Sequence, residues 1–199
     1  MKMSKYKDME EMLSKNKGYL FSSEIEEANI SRTYLGRFVK ENKLEMVSKG
    51  IYVTEDTWVD RLYVLQHNNP KIIYSGETAL YLNGLMDREY NKIYVSTPKG
   101  FNGARLRERG IAVHSEKAGI FGLGECEIET NYGNFVKAYD RERSICDLVK
   151  QKKKNDIQVF QTAIKTFMNS QDKNLSKLIS YADKLLVKEE VMKYIEVMI

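Results

Sequence analysis

Between residues 5 and 16 the apolar positions are Tyr6, Met9, Met12 and Leu13, with charged residues between them. That spacing is one face of a helix, and Gly18 follows where a helix stops. Ser23-Glu24-Ile25-Glu26 has the S-x-x-E form of a capping box, which predicts a second, short helix from Ser23 with Ile25 and Ala28 inward. Asn29-Ile30 is a tight turn, and Ser31 is placed to N-cap a third helix over Arg32 to Glu41, closed by Asn42-Lys43. Leu44 to Val47 and Ile51 to Val53 are strand-like runs around Ser48-Lys49-Gly50, a hairpin with a bulged loop. Helix, short helix, turn, helix, hairpin is the order of a winged helix-turn-helix.

A new segment opens at Glu55-Asp56. Asp56 can cap a helix over Thr57 to His67, which Pro70 prevents from continuing. Ile72 to Tyr74, Ile93 to Val95 and Ile111 to Val113 read as strands, with a short helix over Glu77 to Leu82. Glu125 to Thr130 and Phe135 to Tyr139 flank the turn Asn131-Tyr132-Gly133-Asn134. Beyond Asp140 the pattern becomes helical: Ile157, Phe160, Ile164 and Phe167, then Leu175, Leu178, Ile179 and Ala182, then Val191, Tyr194, Ile195 and Met198. The whole reads as an α+β protein: a winged helix-turn-helix over 1–54, then a larger mixed α/β domain over 55–199 with a helical C-terminus.

Composition narrows the function. The 199 residues carry 32 Lys+Arg against 28 Asp+Glu, a net charge of +4, too mildly basic to identify a nucleic-acid binder by itself. No apolar run has the length of a membrane helix, and the N-terminus lacks the apolar core of a signal peptide, so a cytoplasmic protein is expected. Cys126 and Cys146 are far apart, and neither they nor His67 and His114 have ligand spacing; no disulfide framework, zinc site or cofactor is expected.

The third helix is the most informative element. With Leu35 as the inward direction, Phe38 and Val39 fall within about 60° of it, and Thr33, Gly36, Arg37 and Lys40 lie about 100–200° away. Ser31 and Arg32 stand at its N-terminus, where a recognition helix meets base edges and phosphates. Arg37 has the fork that pairs with guanine, and Thr33 can reach a base or a phosphate. Lys43 and Lys49, before the hairpin and at its tip, suit phosphates. From Ala28 to Thr54 five basic residues face two acidic ones, whereas the preceding helix carries Glu24, Glu26 and Glu27. That polarity favours double-stranded DNA over a merely solvated face.

Two other clusters hold residues of chemical interest. Gly100-Phe101-Asn102-Gly103 lies among Lys99, Arg105, Arg107 and Arg109. It is no Walker motif and reads as a surface loop with basic flanks, a second DNA surface being the next reading. Asp140-Arg141-Glu142-Arg143 with Asp147 reads as a helix start whose acids cap it or pair with the arginines, because no second acidic cluster or histidine completes a catalytic set. Cys146, between Ile145 and Asp147 near Leu148, reads as core. No catalytic residue is assigned.

Gly18-Tyr19-Leu20 leading to Ser23-Glu24, then Asn29 to Leu35, then Leu44 to Tyr52, resembles the N-terminal domain of AbiEi-type antitoxins. Ile73 to Leu80 with Asn83-Gly84-Leu85 is similar to the start of that family's C-terminal domain, and Asp140 to Ser144 with Asp147-Leu148 to a later segment of it. Asn29 stands where the family usually has glycine, and Asn tolerates the left-handed backbone. The resemblance implies a type IV toxin–antitoxin system of abortive phage infection. In it the winged helix binds inverted repeats in its own promoter and represses transcription, with possible self-association on DNA. The C-terminal domain counters a nucleotidyltransferase-like toxin without a stable complex. The rival readings are a C-terminal enzyme acting on nucleotide or RNA, and a plain transcriptional regulator.

Overall fold

The computed structural model describes residues 2–153 and 155–198. Lys154 of the basic run, and the side chain of Met198 in the last helical pattern, lie outside what it describes. The chain divides into two compact units, Met1–Val64 and Leu65–Ile199.

In the first unit α1 (Lys2–Lys15) leads through Gly18 (φ 89°) into β1 (Tyr19–Phe21), α2 (Ser22–Glu27) and α3 (Arg32–Glu41), then β2 (Glu45–Ser48) and β3 (Ile51–Val53). The hairpin is bulged between Met46 and Ser48, as its loop sequence predicts. It is also one strand wider than expected. Tyr19, Leu20 and Phe21 pair antiparallel with Val53, Tyr52 and Ile51, so the order is β1-β3-β2. Ser22, not Ser23, opens α2, with Phe21 as N-cap and no side-chain capping bond. The start of the helix is set by the strand that enters it rather than by the S-x-x-E sequence.

Two apolar clusters hold this unit. Met9, Leu20, Ile25, Ile30, Leu35, Phe38 and Leu44 join the three helices to the sheet. Tyr19, Phe21, Ile51 and Val53 form the other, with Tyr63 and Val64 packed on it. The helix expected from Thr57 begins instead at Arg61: α4 runs Arg61–Asn68. Asp60 is its cap, with Oδ1 accepting from the amides of Leu62 (3.0 Å) and Tyr63 (3.1 Å). The buried Tyr19 hydroxyl accepts from the Asp60 amide at 2.8 Å and so selects Asp60 over Asp56.

The second unit has a five-stranded sheet of order β6-β5-β4-β8-β7, built from β4 (Ile73–Tyr74), β5 (Tyr94–Pro98), β6 (Ala112–Glu116), β7 (Glu125–Glu129) and β8 (Phe135–Tyr139). β4 is antiparallel to β5 and parallel to β8, β5 is parallel to β6, and β7 and β8 form a hairpin. Gln66 completes the open stretch of β8: its side chain donates to the Lys137 carbonyl (2.9 Å) and accepts from the Lys137 amide (2.6 Å). Against the sheet lie α5 (Gly76–Leu82) and α8 (Arg141–Lys150), followed by α9 (Ile157–Asn169), α10 (Leu175–Lys184) and α11 (Lys188–Met198). Phe160, Ile164, Phe167, Leu178, Ala182, Val191 and Ile195 share one core with Leu80, Ile145 and Leu148, as the helical periodicity predicts, whereas Ile157 of the same pattern is exposed. Two short helices, α6 (Ala104–Glu108) and α7 (Ala118–Phe121), have no counterpart in the sequence reading.

Candidate nucleic-acid interface

The turn before α3 depends on one backbone conformation. Asn29 has φ 53°, the left-handed region for which Asn is among the best non-glycine residues. The Ile30 amide then donates to the Ile25 carbonyl at 3.0 Å, and Ile30 is buried between the helices. This fixes where α3 starts. Ser31 is its N-cap by backbone geometry, but its hydroxyl makes no capping bond and stays exposed.

α3 is two-sided as the helical wheel requires. Leu35 and Phe38 are buried and Val39 packs on the same cluster, while Thr33, Gly36, Arg37 and Lys40 are exposed. A Cβ at Gly36 would meet no atom within 4 Å, so the exposed side is smooth there. Phe38 is clamped by Tyr6 of α1, edge to face at 5.3 Å. The Lys5 ammonium sits 5.1 Å from the Tyr34 ring centre. α3 is therefore held by its inner face, and substitutions on its outer face leave the packing alone.

Arg32 is paired within the protein. Its guanidinium donates through Nε and one terminal nitrogen to Glu26 Oε1, at 3.2 and 2.8 Å. The Glu26 carboxylate raises its already high pKa. Both groups are exposed, so water and salt screen the pair; it orients Arg32 at the start of α3 without immobilising it. Glu26 as the partner of Arg32 is not foreseen by the sequence. Nothing in the local sequence links Glu26 and Arg32 until the Asn29 turn folds one helix back on the other.

Lys43 (φ 52°) is exposed in the turn after α3, and Lys49 is exposed at the hairpin tip before Gly50 (φ 76°). The hairpin is anchored by the Ser22 amide donating to the Gly50 carbonyl at 2.8 Å. The structure thus brings Ser31, Arg32, Thr33, Arg37 and Lys40 onto one helix, with Lys43 and Lys49 in the turns beside the hairpin. If Lys49 meets a phosphate, Lys49→Ala should weaken specific and random duplexes alike and lower the slope of log K against log salt by about 1. Titrations at several salt concentrations measure this.

The basic segment of the second unit is arranged differently. Gly100 to Gly103 form a turn and loop, as the sequence predicts, but the arginines that follow are helical: Asn102 Oδ1 accepts from the Ala104 amide at 3.1 Å and α6 follows. Arg105 and Arg107 lie on α6 and Arg109 is its C-cap. A two-residue spacing on a helix turns the direction by about 200°. Arg105 and Arg109 therefore share a face and Arg107 does not; the Arg107 guanidinium lies back over Gly103. Lys99 is exposed in the turn after β5.

The expectation that no further acid or histidine joins the Asp140–Asp147 segment is corrected by β6, which brings Glu116 and His114 to it. Arg143 is fully buried and donates to Asp147 Oδ2 (3.0 Å), Glu116 Oε1 (3.1 Å) and the carbonyls of Ile120 and Leu123 (both 2.8 Å). Its guanidinium lies 4.1 Å from the Tyr139 ring centre. His114 Nε2 is 3.4 Å from Glu116 Oε1. The hydrogen bond from His114 holds the Glu116 carboxyl low, with Arg143 adding to it, and the same bond raises His114. Burial pushes Asp147 upward against the pull of Arg143. Asp140 caps α8 by accepting from the Arg143 amide at 2.8 Å. These acids are structural partners of Arg143 and of the helix end, in line with the capping-and-pairing reading. Burial pushes the thiols up to about 12 at Cys146 and about 11 at Cys126, which removes the thiolate that thiol chemistry needs. Among the described residues no three His, Cys, Asp or Glu side chains are grouped to hold a metal ion. No helix among them is long and apolar enough to cross a membrane.

A model of the family described as "Transcriptional regulator, AbiEi antitoxin" matches residues 7–54. These are the residues that carry α3 and the hairpin. No curated protein matches the chain. A solved structure titled "Crystal structure of RV2827C protein from Mycobacterium tuberculosis" is 10% identical, with a TM-score of 0.48 over 92% of this chain and 78% of that one; a likeness of that strength carries no argument. The Asn29 turn, the two-sided α3 and the bulged hairpin all lie within residues 7–54, the stretch that is similar to the AbiEi antitoxin family of transcriptional regulators.

Proposed function

We propose that the chain represses its own promoter by binding inverted repeats through α3 and the hairpin, and that the residues beyond them, 55–199, counter a nucleotidyltransferase-like toxin without forming a stable complex with it. The setting is the bacterial cytoplasm, in a type IV toxin–antitoxin system for phage defence. The observation that carries the DNA half is the exposed face of α3. Thr33, Arg37 and Lys40 stand on one side of a helix fixed by Leu35 and Phe38 on the other, with Lys43 and Lys49 beside it. Arg37 reads a guanine edge, Ser31, Arg32 and Thr33 hold phosphates or base edges at the helix start, and the two lysines hold phosphates.

We read residues 55–199 as non-enzymatic. The acids of the Asp140–Asp147 segment are engaged by Arg143, by Lys177 (2.9 Å from Asp140) and by the start of α8. Each of these carboxyls is thus held by a cation or a helix end.

The experiment is a titration of purified protein against a duplex of its own promoter and a scrambled duplex. Salt-dependent preference for the promoter supports the reading; equal affinity for both refutes autorepression. A fragment ending at Val64 keeps Tyr63 and Val64 on the β1–β3 face. It should bind the promoter weakly and without cooperativity, and should fail to rescue cells from the toxin. Full rescue by that fragment would remove residues 65–199 from antitoxicity.

A second basic surface at Lys99, Arg105, Arg107 and Arg109 would add to promoter affinity. Replacing Arg105, Arg107 and Arg109 together by Gln should lower affinity and cooperativity at low salt. Because only Arg105 and Arg109 share a face of α6, the double variant of those two should account for most of the loss. An unchanged salt titration leaves the segment as a solvated surface.

A further inference from the structure

The second unit contains a cavity of about 170 Å³ between β5, β6, α5 and α8. Tyr94 pairs with Ala112 and Ser96 with His114; side chains two apart on a strand share a face, so these four turn toward the same side. Leu80 of α5 and Leu148 of α8 complete an apolar lining. The cavity is smaller than the ~300 Å³ at which drug-sized ligand pockets begin. It suits a molecule of one or two rings and not a nucleotide.

The polar groups in its wall fall into two sets. Some are already engaged: Ser96 bonds the Tyr139 hydroxyl, Ser144 donates to the Tyr139 carbonyl at 3.4 Å, and the Asn155 amide donates to the Leu148 carbonyl at 3.1 Å. The others make no such bonds among the described residues. Ser75 is 6% exposed, yet its hydroxyl has no protein partner. Glu77 is in no ion pair. Asp147 gives Oδ2 to Arg143 and leaves Oδ1 without a donor. The Tyr94 hydroxyl and the exposed Gln151 amide also reach the wall without such a bond, but the charged groups left open toward the cavity, Glu77 and Asp147, are both acceptors. The one basic side chain in the wall, His114, is turned to Glu116, so an anion finds no counter-charge.

We propose that this cavity binds a small planar heterocycle bearing an amino group. The ring lies against Leu80, Ala112, Leu148 and Tyr94, and its N–H donors meet Glu77, Asp147 and Ser75. Acceptors in a shaped apolar slot reject an analogue that replaces a donor by a carbonyl, because acceptor then faces acceptor.

The test uses the full chain, with the methyl signals of Leu80, Ala112 and Leu148 followed by NMR. The probes are cytosine and adenine, compared with uracil and hypoxanthine, which carry a carbonyl in place of the amino group. Saturable shifts are expected for at least one amino base, with at least tenfold weaker binding of its carbonyl analogue. Ala112→Phe fills the cavity and should abolish the shifts. Glu77→Gln, at a half-exposed helix position, should weaken the amino base several-fold, and decides the matter if Ala112→Phe does not fold. The proposal is overturned if neither amino base gives saturable shifts, if the carbonyl analogues bind equally well, or if Glu77→Gln binds as the parent does.

Discussion

Arg37→Ala is expected to cost about 1–3 kcal/mol in binding to the promoter, a loss of roughly five- to 150-fold, and much less on random DNA. The inequality follows from the way α3 is held. Arg37 is exposed and its helix is fixed through Leu35, Phe38 and the Tyr6 ring; truncating it removes no packing. A guanidinium fork matched to guanine O6 and N7 contributes only where that base is present, whereas a phosphate contact contributes on every duplex. Arg37→Lys is the sharper comparison. It keeps the charge and loses the fork, so it should retain random-DNA affinity and lose most of the promoter preference. Thermal unfolding serves as the folding control. Promoter binding by Arg37→Ala equal to that of the parent would mean that α3 reads no base through this residue. If Lys49→Ala were silent as well, the winged-helix interface itself would be wrong.

The elements that the sequence made legible are those whose burial has a local period. α3 shows Leu35, Phe38 and Val39 on one face, and α9 to α11 repeat the same spacing, so the pattern alone places them. β1 has no alternation to read: Tyr19, Leu20 and Phe21 are all buried, because the strand is covered on both faces. The start of α4 was misplaced because Asp56 and Asp60 are equally good caps by sequence. The choice is made by the Tyr19 hydroxyl, far away in the chain. The exposure of Thr33, Arg37 and Lys40 was legible for the same reason as α3, since exposure on an amphipathic helix is periodic too. The Glu26–Arg32 pair was not, because it exists only across the Asn29 turn. Least legible was the surround of Arg143. Asp140-Arg141-Glu142-Arg143 alternates charges as a solvated surface does, yet residues 142–149 are all buried. The partners that make this possible, Glu116 and the carbonyls of Ile120 and Leu123, come from elements with no sequence link to α8.

That surround supports the other large effect. Arg143→Met should destabilise the second unit by about 3–5 kcal/mol, the usual cost of removing one partner from a buried ion pair. Against a typical total of about 5–15 kcal/mol, this is a large share. The side chain is fully buried and serves four acceptors at once. Methionine fills much of its volume but leaves Asp147 and Glu116 in a low-dielectric site with no cation, and the carbonyls of Ile120 and Leu123 without donors. Each unsatisfied group costs more than the bond it lost was worth. Arg143→Lys should recover little: one ammonium cannot span acceptors placed around a planar guanidinium, and the stacking on Tyr139 is lost with the plane. The packing leaves no slack, because Gly124 (φ 80°) approaches so closely that an added Cβ would lie 2.6 Å from that of Arg143. A second substitution separates lost attraction from stranded charge. Adding Asp147→Leu and Glu116→Gln to Arg143→Met removes the uncompensated acids and should restore part of the stability, since an apolar replacement of a whole buried network is often tolerated. Urea unfolding followed by circular dichroism, with hydrogen exchange of the amides in α8 and β8, measures both steps. A single variant within about 1 kcal/mol of the parent would show that Arg143 does not hold the sheet to α8. A triple variant no better than the single would show that the lost donors, and not the stranded carboxylates, carry the cost.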